Sequence, residues 1–110
     1  MQEVKELDTL ISKINTGTPV LIYFSSTNCS VCKVLKPKIE NEIKNNFPKI
    51  ELFEVRADLY KQIASHFTIF SIPSILVFFD KKEFNRQGRN ISVPMFIKEI
   101  KRVYELFYME

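Results

Sequence analysis

Apolar positions along this chain change period several times, and each change marks an element. Val4, Leu7, Leu10, Ile11 and Ile14 recur at helical spacing and predict an amphipathic helix over about 3–15. Asn15-Thr16-Gly17-Thr18-Pro19 ends it, with glycine suited to the C-terminal cap and proline following. Residues 20–24 are continuously apolar and predict a buried strand. A second helix is expected from about Ser30 to Asn46, with Val34, Leu35, Ile39 and Ile43 on its inner face, Pro37 inside it and Pro48 marking its end. Residues 50–56 predict a second strand, and 59–67 a short helix striped by Leu59, Ile63 and Phe67. Residues 75–79 predict a third strand, 80–82 a turn and 83–87 a polar edge strand. After a turn at Gly88-Arg89-Asn90, a last helix over about 93–109 carries Phe96, Ile97, Ile100, Val103, Tyr104 and Phe107, with Pro94 tolerated in its first turn.

The order α-β-α-β-α-β-β-α implies an α/β fold. Parallel strands joined by crossover helices and closed by an antiparallel hairpin make a central mixed sheet of four to five strands, with helices on both faces. No repeat, linker or low-complexity stretch interrupts it, so residues 1–110 read as a single domain with enough apolar content for one core.

Composition narrows the function classes. The net charge of +3 comes from basic residues scattered singly among acids, which describes a solvated surface rather than a nucleic-acid interface. No apolar run approaches the length of a membrane span. Met1-Gln2-Glu3-Val4-Lys5-Glu6 lacks the charged start and apolar centre of a signal peptide, so a reducing, cytoplasmic setting is expected. No phosphate loop or dinucleotide fingerprint occurs, so no bound cofactor is expected and electrons must come from a partner protein.

The candidate chemistry lies in Cys29-Ser30-Val31-Cys32, which contains both cysteines of the chain. A C-x-x-C that follows a buried strand and opens a helix suits a redox-active dithiol. The unpaired N–H groups of the helix's first turn favour a thiolate on Cys29, and Cys32, one turn further in, can close a disulfide over it. A loop this short gives little as a structural staple, so reactivity explains the pair better than stability. Zinc needs about four ligands, and only His66 could join the two thiols, so no metal site is expected.

This order, with these residues in it, resembles the thioredoxin family over about residues 3–108. Three features carry the resemblance: the segment Phe24-Ser-Ser-Thr-Asn-Cys29-Ser-Val-Cys32-Lys33, Pro37 in the helix after it, and Ser71-Ile72-Pro73-Ser74 before the third strand. The resemblance implies a thioredoxin fold and a thiol-disulfide oxidoreductase. Cys29 would attack a target disulfide, and Cys32 would resolve the mixed disulfide. It also implies a cis peptide at Ile72-Pro73, with Ile72 offering its backbone to an extended substrate segment. The expected partners are protein disulfide substrates and a thioredoxin reductase-like electron donor, with the chain itself a monomer.

Three departures from the family pattern bear on the site. The tryptophan that usually precedes the first cysteine is Asn28, which removes a flat apolar contact for targets. The intervening pair is Ser30-Val31 rather than Gly-Pro, which should shift the redox potential. Tyr23 stands where thioredoxins bury a proton-shuttling aspartate, and Glu54 aligns with the lysine that pairs with it. By strand alternation Glu54 shares a face with Ile50 and Leu52, so it is a candidate, with the Tyr23 hydroxyl or water, for moving the Cys32 proton. His66 reads as a surface residue, Phe78, Phe79, Phe96 and Phe107 as core, and Gly88 as a turn residue requiring positive φ.

Two other readings fit the same residues. One is a specialised oxidoreductase of higher potential with a narrow target set, given Ser30-Val31 and Asn28. The other is a thioredoxin-fold binding module with a vestigial or regulatory dithiol, holding a partner through the surface around Asn28, Ile72 and Pro73.

Overall fold

In a computed structural model that describes residues 1–109, the chain forms nine elements. They are β1 (Gln2–Glu3), α1 (Leu7–Asn15), β2 (Val20–Ser25), α2 (Ser30–Asn46), β3 (Glu51–Arg56), α3 (Lys61–His66), β4 (Ser74–Phe79), β5 (Lys82–Gln87) and α4 (Val93–Phe107). The strands make one mixed sheet of order β1-β3-β2-β4-β5. This is the thioredoxin fold.

β2 and β4 are buried on both faces, which is why their sequences are almost wholly apolar. Leu21 and Tyr23 of β2 join Ile75, Val77 and Phe79 of β4 beneath α2 and α4. Val20, Ile22 and Phe24 turn to the other face and meet Leu10 and Ile14 of α1 and Ile63 of α3. β5 is an edge strand with polar, largely exposed positions, as its composition predicts. No helix among the described residues is long and apolar enough to cross a membrane.

The direction of β4 differs from the run of parallel strands that the element order suggests. β2 and β3 are parallel, whereas β4 is antiparallel to β2. Helix lengths give the reason. The 17 residues of α2 span about 25 Å, enough to return the chain along a strand. The 6 residues of α3 span only about 9 Å, so the chain stays at the same end of the sheet and re-enters in the opposite sense. Ser74 at the start of β4 therefore pairs with Phe24 near the end of β2, which brings the Ile72-Pro73 segment beside the C-x-x-C.

Several local expectations change. The first helix begins at Leu7, and residues 2–3 form a short parallel strand on β3. Val4 is buried there as extended chain, its N–H donating to the Glu54 carbonyl at 2.8 Å. Two residues are too few to show a strand period. Val34 is 60% exposed, because the buried stripe of α2 runs through Cys32, Leu35, Ile39 and Ile43. Leu59 lies in the turn before α3 and is exposed. Phe107 is partly exposed at the end of α4, its ring against Phe79, while Phe78, Phe79 and Phe96 are buried. Gly88 does not take positive φ; Gly17 does, at 85°, as do Asp80 and Lys81 in the tight turn between β4 and β5. The Gly88 turn closes instead through an Ile91 N–H to Gly88 carbonyl bond of 3.2 Å.

Candidate active site

The last residue of β2 and the first of α2 are separated by four residues, Ser26 to Cys29, so the strand delivers the chain directly onto a helix N-terminus. Cys29 is the N-cap of α2, in extended conformation, and Cys32 lies on its first turn. The two form a disulfide, with Cα atoms 5.2 Å apart. The backbone N–H of Cys32 points at the Cys29 Sγ, 3.1 Å away. Helix N-caps are normally oxygen acceptors such as serine or aspartate; here sulfur takes that place. In the reduced protein the same N–H and the helix dipole would favour charge on Cys29. Cys32 is 3% exposed and sits in the core under α2, while Cys29 is only partly buried.

Beneath the dithiol, β2 and β3 lay Tyr23 and Glu54 side by side in the parallel register. Tyr23 is fully buried, and its hydroxyl donates to the carbonyl of Cys32 at 2.7 Å. Burial first, and the nearby Glu54 charge second, push this hydroxyl above the ordinary tyrosine range. It therefore stays protonated and donating, directed at the helix backbone and not at a sulfur. Glu54, whose side chain is 15% exposed, accepts from Lys36 Nζ at 2.6 Å and from Ser25 Oγ at 2.9 Å. Glu54, Lys36, Ser25 and Cys32 line one recess of about 240 Å³.

Above the dithiol, Ile72-Pro73 is a cis peptide. Ile72, Asn28, Cys29 and Val31 line a second recess of about 240 Å³, together with Arg89 from the turn after β5. Pro73 is buried behind them, and Asn28 is exposed on the turn that precedes Cys29. That turn is tied to the β3–α3 connection by the Thr27 N–H, which donates to Asp58 Oδ2 at 3.3 Å; hydrogen bonding from Thr27, its side chain first and its backbone second, holds the Asp58 carboxyl below the usual range. His66 is exposed at the end of α3 with its ring edge-on to Phe67, and it lines neither recess.

Four contributors lay outside the sequence reading. Lys36 is one turn beyond Cys32 on the same helix face, so i, i+4 spacing could have found it. Ser25 extends β2 by one residue, opposite Arg56 in the register. Phe70 and Arg89 sit on loops with no period to read; the fold brings Arg89 into the recess that holds Cys29 and Phe70 into a neighbouring recess that shares Ile72.

Comparison with known proteins agrees with this geometry. The family model described as Thioredoxin matches residues 2–101. The thioredoxin-like protein YdfQ of Bacillus subtilis (strain 168) is 32% identical over 110 residues, covering 97% of this chain and 97% of that one. Mitochondrial thioredoxin of Mus musculus is 27% identical over 63 residues, which is 57% of this chain and 38% of that relative. Among solved structures, oxidized mitochondrial thioredoxin 3 from Saccharomyces cerevisiae superposes with a TM-score of 0.81 at 20% identity, over 93% of this chain and 94% of that one. Thioredoxin from Trypanosoma brucei brucei gives 0.82 at 18% identity, over 94% and 89%; both show a shared fold. With a disulfide-forming cysteine pair at the strand-to-helix junction and the family model spanning nearly the whole chain, the protein belongs to the thioredoxin family.

Proposed function

We propose that this chain reduces protein disulfides, with Cys29 as the nucleophile and Cys32 as the resolving thiol. Family membership and the Cys29–Cys32 disulfide support oxidoreductase activity by dithiol–disulfide exchange. The observation that carries the assignment of roles is the Cys32 N–H directed at the partly exposed Cys29 Sγ, with Cys32 itself in the core. In the reduced protein the Cys29 thiolate attacks one sulfur of the target disulfide, and the other leaves as a thiolate. Cys32 then loses its proton and attacks the Cys29 sulfur. The Cys29–Cys32 bond forms, the target's second sulfur departs, and two electrons have passed to the target.

The Cys32 proton needs an acceptor, and we assign it to Glu54 by way of water in the recess the two share. At about 240 Å³ that recess has room for water. Lys36 and Ser25 hold both carboxylate oxygens in place. The Tyr23 hydroxyl supports the step by fixing the carbonyl of Cys32. If Glu54→Gln leaves the pH dependence of disulfide reduction unchanged, this assignment is wrong.

Ile72, beside Cys29 in the outer recess, is assigned the backbone contact to an extended substrate, with Pro73 behind it and Asn28 on the opposite lip. Electrons would be resupplied by a thioredoxin reductase-like flavoenzyme to a cytoplasmic monomer of one domain. Insulin reduction with dithiothreitol tests the central reading. The wild type should turn over and Cys29→Ser should not; no turnover by the wild type would favour a binding module. A reduction potential near ~−270 mV would fit a general reductant, whereas one near ~−180 mV would fit the specialised oxidoreductase.

A further inference from the structure

The rim around the dithiol carries a charge pattern and an aromatic that disulfide exchange itself does not use. Arg89 lines the recess that holds Cys29 and Ile72. Ile72 also lines a neighbouring recess with Phe70 and Lys61. Phe70 stands between that recess and a third one floored by Gly88 and Arg86. Not one Asp or Glu lines any of the three. Arg86 has its charge answered by Glu83 at 2.9 Å. Arg89 and Lys61 have no ion pair among the described residues.

Phe70 is 92% exposed, which is unusual for so large an apolar side chain. It is held out on a braced loop. Arg86 donates to the carbonyls of Phe67 and Thr68 at 2.8 and 3.0 Å, Thr68 takes positive φ at 57°, and Ser74 Oγ donates to the Ser71 carbonyl at 2.7 Å. Bracing of this kind lowers the ordering cost of a contact made there. Ile72 lines both the recess with the unpaired guanidinium and the recess with the exposed aromatic, neither has a carboxylate in its lining, and together they complement a negatively charged segment that also carries an apolar side chain.

We propose that Arg89 and Phe70 make this rim a docking surface for extended acidic polypeptide segments, a carboxylate beside the substrate's disulfide sitting against Arg89 and an apolar side chain further along against Phe70. The proposal rests on the disulfide-reductase reading and names the substrates it selects. It also supplies an exposed apolar contact to a rim on which Asn28 stands in place of the usual tryptophan.

The test uses the pre-reduced protein and matched synthetic peptides, each with one internal disulfide, followed by acid quench and chromatography in a single turnover. One set carries Glu, Gln or Lys beside a cysteine; a second carries Leu or Ser further along. The Glu peptide should react about five-fold faster than the Lys peptide at low salt, and the ratio should fall toward one as salt is raised. Arg89→Glu should invert that ratio, and Phe70→Ala should erase the preference for Leu over Ser. Ratios within one variant cancel any change in the reactivity of Cys29 itself. Either ratio standing unchanged in its variant overturns the proposal alone. Failure of every peptide to react with the wild type overturns the reductase reading and the proposal with it.

Discussion

The two sides of the dithiol are built by different means. The underside is made by regular elements: Tyr23 from β2 is fully buried with its hydroxyl on the Cys32 carbonyl, and Glu54 from β3 pairs at 2.6 Å with Lys36 from α2. The rim is made by loops: Asn28, Phe70 and Arg89 come from three connections at one end of the sheet, all exposed. Strand register and helix period fix the positions of the underside residues, which suits the proton transfer proposed for Glu54. The rim is shaped by segments that can change without disturbing the core, which suits a choice of partner. Two phenylalanines express the contrast. Phe24 is fully buried on β2, its ring centroid 6.0 Å from that of Phe67, and Phe70 is almost wholly in water.

The largest effect expected follows from that pair. Phe24→Ala should lower unfolding stability by about 3–5 kcal/mol, because a ring is removed from a packed site that strands on both sides keep from collapsing. Urea denaturation would show it as a lower midpoint. A loss below about 1 kcal/mol would mean that the sheet carrying the site is loosely packed behind β2, and the contrast between a packed framework and an open rim would fail.

A smaller effect belongs to Tyr23. Tyr23→Phe removes the bond to the Cys32 carbonyl and should cost about 1 kcal/mol near neutral pH. The raised pKa adds a sign that can be checked. Below pH 10.0, the ordinary tyrosine value, both folded and unfolded chains keep the proton and the hydroxyl contributes in full. Above it the phenol ionises in the unfolded chain but not in the buried site, so the stability it lends is lost as pH rises. The phenylalanine variant has no such proton. The gap between the two proteins should therefore shrink above that pH and then reverse, and a gap that stays constant would place the hydroxyl in contact with water.

The sequence made the underside more legible than the rim, for the same physical reason. Continuous apolar runs marked β2 and β4, and the step from strand to helix marked Cys29 and Cys32 as a dithiol. Alternation along β3 put Glu54 on the face toward α2, where Lys36 meets it. What periodicity does not encode stayed hidden. Two residues cannot announce a strand, so the apolar spacing runs Val4 into the first helix and leaves β1 without a signal. The sense of β4 depends on how far a short helix can carry the chain, which the order of elements leaves open. Gly88 suggested a positive φ from composition alone, yet the turn it opens needs none. Phe70 and Arg89 lie 41 and 60 positions after Cys29 in the chain, and only the tertiary fold makes them neighbours of the same surface.

The smallest effect is the one that isolates the rim. Phe70→Ala should change unfolding stability by no more than about 0.5 kcal/mol, since an exposed side chain has almost no apolar area to lose to water. Urea denaturation of this variant beside Phe24→Ala makes a matched measurement: the same residue type and the same truncation, once inside the packed sheet and once on the open rim. The midpoint should stay near that of the wild type and the denaturant slope should not change. A loss approaching that of Phe24→Ala would show that Phe70 is packed against the protein in solution. Its ring could not then be waiting for a partner, and the division between a fixed underside and an open rim would have to be redrawn around Arg89 alone.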